Sequence, residues 1–261
     1  MSFTGKVVIV TGASSGIGED AARHLSKLGA KVSIVGRNAE RLNKVADEIK
    51  KSGAAAPLVI VADVTKDAER IVNETIKKFG QLDVLVNNAG YGKPDNVAEA
   101  DLSQFDSIFD TNIRSVITLT KLCVPHLEKT KGNVVNISSV CGLKAFPNFM
   151  SYCMSKAALD QFTKCSALDL APKGIRVNGV NPAAIRTAFL QSYGLATDEA
   201  NKFYGQVENM YPVGRVGEVA DTSAAIAFLA DDKSASFLTE ILLPVDGGSL
   251  TSGLIPDKRI N

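Results

Sequence analysis

The sequence predicts a single α/β domain built on a doubly wound parallel sheet. Short apolar runs alternate with helical patterns along most of the chain, which is the signature of successive βα units. A glycine-rich turn joins the first run to the first helix, giving a strand–loop–helix–strand unit of about thirty residues. Every polar motif of note directly follows an apolar run, so all of them collect at one edge of the sheet. The chain has 261 residues, 45% hydrophobic and 22% charged, enough for a full-size core.

Residues 6–10 form the first apolar run, and Thr11-Gly12-Ala13-Ser14-Ser15-Gly16-Ile17-Gly18 follows it directly. Residues 19–28 read as a helix closed by Gly29, and residues 31–35 as a second strand. Glycines permit a tight turn and close approach to a diphosphate. The helix N-terminus beyond them offers unpaired N–H groups and the positive end of a dipole. The candidate diphosphate residues are Gly12, Ser14, Ser15, Gly16, Ile17 and Gly18, at a spacing that departs from G-x-G-x-x-G. The second strand ends at Gly36-Arg37-Asn38, where an NAD-preferring fold usually carries a carboxylate for the ribose 2′-hydroxyl. A guanidinium suits a 2′-phosphate, so NADP(H) is the expected cofactor and NAD(H) the alternative.

The alternation continues with helix 39–51, strand 58–61, helix 67–79 and strand 82–86. Asp63-Val64 follows the third strand, at the place of an adenine amino group, and Asn87-Asn88-Ala89-Gly90 caps the fourth. Residues 102–129 are a long helical stretch carrying Asn112, whose amide is an unusual choice for a helix interior. Strand 133–137 ends in Ser138-Ser139, and strand 175–180 ends at Asn181-Pro182. A seventh strand, 241–244, lies near Asp246-Gly247-Gly248. In such sheets ligands bind outside the carboxyl ends of the strands. Residues 186–211 break the alternation and are expected to fold over that edge as a substrate lid.

Helix 150–172 carries Tyr152 and Lys156, four apart and so on one face, about 6 Å from each other along the axis. A tyrosine ordinarily keeps its proton to pH ~10, and a fixed ammonium beside it is expected to pull that value down. The pair is a credible proton donor and acceptor.

Composition excludes other classes. Lys plus Arg is 29 and Asp plus Glu is 28, a net charge of +1 with no field for gripping nucleic acid or an anionic membrane. No apolar run approaches the ~18 residues of a membrane span, and the N-terminus enters a strand pattern without signal character, so a cytoplasmic location is expected. The four cysteines lack metal-site spacing, and His24 and His126 are the only histidines, which leaves zinc sites and Ser–His–Asp triads poorly supplied.

Together the motifs resemble the short-chain dehydrogenase/reductase family in its single-domain form, with the resemblance running from Gly5 to about Gly248. Thr11–Gly18 matches T-G-x-x-x-G-x-G, Asn87–Gly90 matches N-N-A-G, and Tyr152 with Lys156 matches Y-x-x-x-K. Ser139 stands thirteen residues before Tyr152, the family's usual separation. The resemblance implies a Rossmann-type fold of seven parallel strands with helices on both faces. It also implies a catalytic set of Asn112, Ser139, Tyr152 and Lys156, with Asn88, Ala89, Gly90, Pro182, Ile185 and Thr187 among the cofactor contacts. The implied reaction interconverts a ketone and a secondary alcohol by hydride transfer, with a homotetramer or homodimer as the assembly. Within the family the pattern is similar to 3-oxoacyl-thioester reductases and to dehydrogenases of steroids and other lipophilic alcohols. Lys129, Lys131 and Lys173 are candidates to meet an acidic carrier protein. Ala183 stands where the family commonly has glycine, which is expected to shift the adjoining loop slightly. The competing expectation is a dinucleotide-binding sensor or scaffold without turnover.

Overall fold

Seven strands form one parallel sheet in the order β3-β2-β1-β4-β5-β6-β7. They are β1 (Val7–Thr11), β2 (Lys31–Gly36), β3 (Leu58–Val61), β4 (Val84–Asn87), β5 (Asn133–Ile137), β6 (Arg176–Pro182) and β7 (Leu242–Val245). The computed structural model describes residues 1–251; residues 252–261 of the expected domain lie outside that range. An all-parallel sheet needs cover on both faces, and the pleat of β1 shows how the sequence supplies it. Val8 and Val10 join a core with Leu25 of α1 (Gly16–Lys27), Leu42 of α2 (Ala39–Lys51) and Ile226 of α9 (Val219–Ala230). Val7 and Ile9 face the other way, toward Ile71 of α3 (Ala68–Phe79), Leu119 of α5 (Ser115–Thr130) and Ala167 of α6 (Met150–Leu170).

Sheet order reverses beside β1. Strands β2 and β3 build outward on one side and β4 starts the other, which opens a crevice at the carboxyl ends of β1 and β4. Thr11 bridges that crevice: its hydroxyl accepts from the N–H groups of Asn88 at 2.9 Å and Ala89 at 3.0 Å. The Asn88 amide in turn donates to the Thr11 carbonyl at 2.9 Å.

Three elements differ from the sequence reading. Helix α1 begins at Gly16, inside the glycine turn, because Gly12 (φ +66°) and Gly16 (φ +59°) bend the chain straight into it. The stretch expected as one helix over 102–129 is α4 (Leu102–Phe109), a π-helical turn (Asp110–Arg114) and α5. The turn holds Asn112, and such turns recur at functional sites. Helix α9 has no counterpart in the sequence reading and packs along α1. Between β6 and α9, two further helices, α7 (Phe189–Ser192) and α8 (Thr197–Glu208), make up most of the segment 186–211. Ile226 is fully buried on α9, so Ile226→Ala is expected to cost about 2–5 kcal/mol of stability, read by chemical denaturation.

Candidate active site

A cleft of about 1560 Å³ runs along the carboxyl edge of the sheet. Its floor at one end is the glycine turn, lined by Gly12, Ser14, Ser15, Gly16 and Ile17. Ser15 stands at the N-cap of α1 yet makes no side-chain capping bond, which leaves first-turn N–H groups for a ligand. Gly18 does not line the cleft. A Cβ there would lie 2.3 Å from Asn88 Nδ2 and 2.5 Å from the Gly12 carbonyl oxygen, so glycine here lets α1 pack against the strand ends. Gly12 is constrained the same way, its added Cβ falling 2.7 Å from Asn88 Nδ2. Only glycine fits at these two positions, because α1 and the turn pack directly against Asn88.

The far end of the cleft is lined by Arg37, Asn38, Asp63 and Val64, together with Arg41 and Thr65, which the sequence reading missed. Arg41 sits in the first turn of α2, and Asn38 caps that helix by accepting its N–H at 2.9 Å. The signal for Arg41 was a second cation on the turn after Arg37. Burial works to raise the Asp63 carboxyl, but Thr65, Arg37 and Lys66 together hold it below the usual carboxylate range.

Ser139, Tyr152 and Lys156 line the middle of the cleft with Asn88, Ala89, Gly90, Pro182, Ile185 and Thr187. Lys156 is buried and its ammonium donates to the Ile137 carbonyl at 2.8 Å, 5.6 Å from the Tyr152 ring centre. Asn112 sits behind this group rather than in the cleft. Its carbonyl accepts the Tyr91 N–H at 3.0 Å, and its amide donates to the Tyr91 carbonyl at 2.9 Å and the Ser155 hydroxyl at 3.0 Å. A Cβ on Gly90 would come within 3.1 Å of Asn112 Oδ1 and 3.5 Å of Lys156 Nζ, so the missing side chain brings these groups close. Ala183 has no positive φ, and its N–H bonds the Val245 carbonyl at 3.1 Å. No left-handed residue is required there, and alanine fits.

The expected effect of Lys156 on Tyr152 is not what the structure shows. Burial pushes the Tyr152 hydroxyl above its ordinary value, the nearby Cys141 thiol adds to the rise, and the Ser139 hydroxyl partly offsets it. The reason is burial: desolvation of the phenol outweighs the Lys156 ammonium, whose bond is to the Ile137 carbonyl. Burial also lowers Lys156, to about 8, against the opposing charge of Asp160 and the Cys141 thiol.

The model of the short chain dehydrogenase family matches residues 6–197. The chain belongs to that family. Meso-2,3-butanediol dehydrogenase of Serratia marcescens is 37% identical over 252 residues, covering 97% of each chain. The crystal structure of glucose dehydrogenase from Caenorhabditis elegans shares 41% identity and a TM-score of 0.84, covering 98% of this chain and 100% of that one. That of 3-ketoacyl-(acyl-carrier-protein) reductase from Brucella melitensis, complexed with NADH, shares 35% identity and a TM-score of 0.87, covering 95% and 99%. The protein is therefore a pyridine-nucleotide-dependent oxidoreductase of the short-chain dehydrogenase family, acting on alcohol and ketone substrates.

Around the mouth, Phe189, Phe203, Met210 and Tyr211 from the segment 186–211 line the cleft with Phe146 and Phe149. Leu190 and Tyr204 also reach it but are buried in a small core with Ala200 and Val216, so the segment carries packing of its own. Tyr193 stacks on Phe149, ring centres 4.3 Å apart, and its hydroxyl donates to the Asn148 carbonyl. Lys131 and Lys173 do not flank the mouth. They precede β5 and β6 at the opposite edge, where Lys131 donates to the Lys173 carbonyl at 3.1 Å and Lys173 pairs with Glu128 at 2.9 Å.

Lys156 is about 8 when folded and 10.5 as a free side chain. Between those values the unfolded chain binds more protons, so this residue makes stability rise with pH across that window. Relative to Lys156→Met, the wild-type protein is expected to gain stability from about pH 8 to 10.5 in paired denaturation curves. A pH-independent difference would show that the amine is not held in a dry site.

Proposed function

We propose that the protein reduces a lipophilic ketone to a secondary alcohol with NADP(H), using Ser139, Tyr152 and Lys156 at the reacting centre. The observation that carries this reading is their meeting at the sheet edge, in one cleft with the glycine turn. The glycine turn, Asn88–Gly90, Pro182, Ile185 and Thr187 would hold the nicotinamide nucleotide, which supplies the hydride. Ser139 donates a hydrogen bond to the carbonyl oxygen and fixes its place. Tyr152, protonated at neutral pH as any tyrosine is and held more firmly so by burial, gives its proton to that oxygen as charge develops on it. Lys156 stabilises the phenolate left behind, with its ammonium close to the ring. Asn112 keeps the Tyr91 backbone and the middle of α6 in register with these groups. The sensor reading requires a missing catalytic group, and all four stand in or against the cleft.

Arg37 and Arg41 support NADP(H) over NAD(H), since both line the adenosine end of the cleft, and β2 ends in Gly36 rather than a carboxylate. The aromatic side chains around Tyr152 support an apolar substrate, a 3-oxoacyl thioester or a 3-ketosteroid: Phe189 lies 5.5 Å and Phe149 6.3 Å from its ring. Residues 186–211 act as the lid that closes on it. Ile117, Met154 and Leu168 are exposed apolar residues on α5 and α6, which supports a homotetramer or homodimer built on those helices. Free cysteines, at all four positions, suit a reducing cytoplasmic location.

Ketone reduction followed at 340 nm tests the assignment. Tyr152→Phe is expected to fold normally and lose ~10²–10⁴-fold in kcat/KM, and a variant with near-normal turnover sinks the role given to Tyr152. Arg37→Leu and Arg41→Leu are each expected to lower kcat/KM with NADPH roughly tenfold while changing the value with NADH much less. Equal losses with both cofactors would remove the case for a 2′-phosphate site.

A further inference from the structure

Asp160 lies one turn after Lys156 on α6, buried, and the chemistry above makes no use of it. Its carboxylate accepts from the Asn181 amide at 3.1 and 3.0 Å and lies within hydrogen-bond reach of the Ser138 hydroxyl. The same amide donates to the Ser139 carbonyl at 3.0 Å, and the Ser138 hydroxyl donates to the Lys156 carbonyl at 3.2 Å. One carboxylate thus ties together the ends of β5 and β6 and the helix that carries Tyr152. Gly142 makes room for it. A Cβ there would fall 2.1 Å from Asp160 Oδ2 and 2.9 Å from the Lys156 carbonyl carbon and oxygen, so a side chain at this position would drive the carboxylate out.

The groups facing Lys156 are Tyr152 and Asp160 from its own helix and Cys141 from the turn after β5; β6 contributes the uncharged Asn181. Lys164, further along α6, faces Asp160. The Cys141 thiol is pushed up to about 12, first by burial, and stays protonated near neutrality. Burial raises the Asp160 carboxyl above its ordinary value, while the Ser138 and Asn181 side chains and the charges of Lys156 and Lys164 favour its ionised form; as a carboxylate it is the negative charge opposite Lys156. A buried ammonium without such a partner would shed its proton rather than remain charged.

We propose that Asp160 is a positioning residue with two tasks: it fixes the Ser138-Ser139 strand end through Asn181, and it supplies the counter-charge that keeps Lys156 protonated. The proposal rests on the roles assigned above to Ser139 and Lys156. Asp160→Asn removes the charge and keeps the shape, whereas Asn181→Ala keeps the charge and removes the link. In Asp160→Asn the alkaline limb of kcat/KM for ketone reduction is expected to move down by roughly one pH unit. In Asn181→Ala kcat falls and the limb stays in place. Independently of turnover, Lys156 is titrated by NMR in protein carrying ¹³C-labelled lysine, its signal assigned by its absence from Lys156→Met. Its midpoint should fall in Asp160→Asn. It should fall too in Asp160→Ser, which also removes the carboxylate and serves if Asp160→Asn does not fold. An unmoved midpoint overturns the proposal, as does a loss of rate in Asp160→Asn with an unchanged alkaline limb. A shifted midpoint in a protein that reduces no ketone supports the counter-charge role and counts against the functional reading instead.

Discussion

Placing the Lys156 amine in a nearly dry cleft costs desolvation energy, and much of the local architecture follows from how that cost is offset. The ammonium reaches the last carbonyl of β5 and lies near a buried carboxylate on its own helix. Both partners depend on α6 running alongside the ends of β5 and β6. That placement in turn rests on packing at the other end of the helix, where Ala167 joins the sheet core. The N-terminus of α6 is pinned as well: the Asp95 carboxylate accepts the Ser151 N–H at 3.1 Å from a loop after β4. Tyr152 follows directly on that pinned residue. A shift of α6 along its axis would therefore misplace Tyr152 and strand the amine together.

Sheet topology explains why the glycine turn and Ser139, Tyr152 and Lys156 line one cleft. The reversal of order beside β1 leaves an opening where the chain departs in both directions, and Thr11 joins its two lips through the Asn88 and Ala89 amides. Gly12 and Gly18 bring Asn88 so close that a single methyl group at either would push it away. The N-N-A-G segment and the glycine turn are thus one packed unit. Behind them, Asn87 bonds Asn136 at 2.9 Å and Asn136 bonds Thr163 of α6 at 2.9 Å. This buried polar chain links β4, β5 and α6 below the site, and such networks fix one arrangement when fully satisfied.

The parts of this arrangement that were legible in the sequence are those written in local pattern. All seven strands were readable because a strand covered on both faces is a short continuous apolar run, and the glycine turn because its spacing carries its geometry. The unread parts depend on partners distant in sequence. Helix α9 is apolar on nearly every side, from Ala224 to Ala230 without a charge, so its sequence shows no polar face to mark a period. The π-helical turn at Asn112 was invisible because it is set by Tyr91 and Ser155, which accept or donate to the asparagine from other elements. The direction of the Tyr152 shift was misread for the same reason. Spacing gave the proximity of Lys156 but not the carbonyl at which its ammonium points.

Chemistry and substrate choice rest on different kinds of support. Ser139, Tyr152 and Lys156 come from a strand end and a core helix, and they cannot move without disturbing the sheet. The walls that a substrate would touch come largely from residues 186–211, which have a small core of their own and are fastened to the body by a few bonds. Tyr204 donates to the Ile185 carbonyl at 3.1 Å, Tyr193 to the Asn148 carbonyl, and Tyr211 accepts the Ala184 N–H at 3.0 Å. Arg186 adds an exposed ion pair to Glu218, which contributes little. A segment fastened this way can change its length and lining while the reacting centre stays intact. Relatives named for a diol, a sugar and a carrier-bound ketone fit that division.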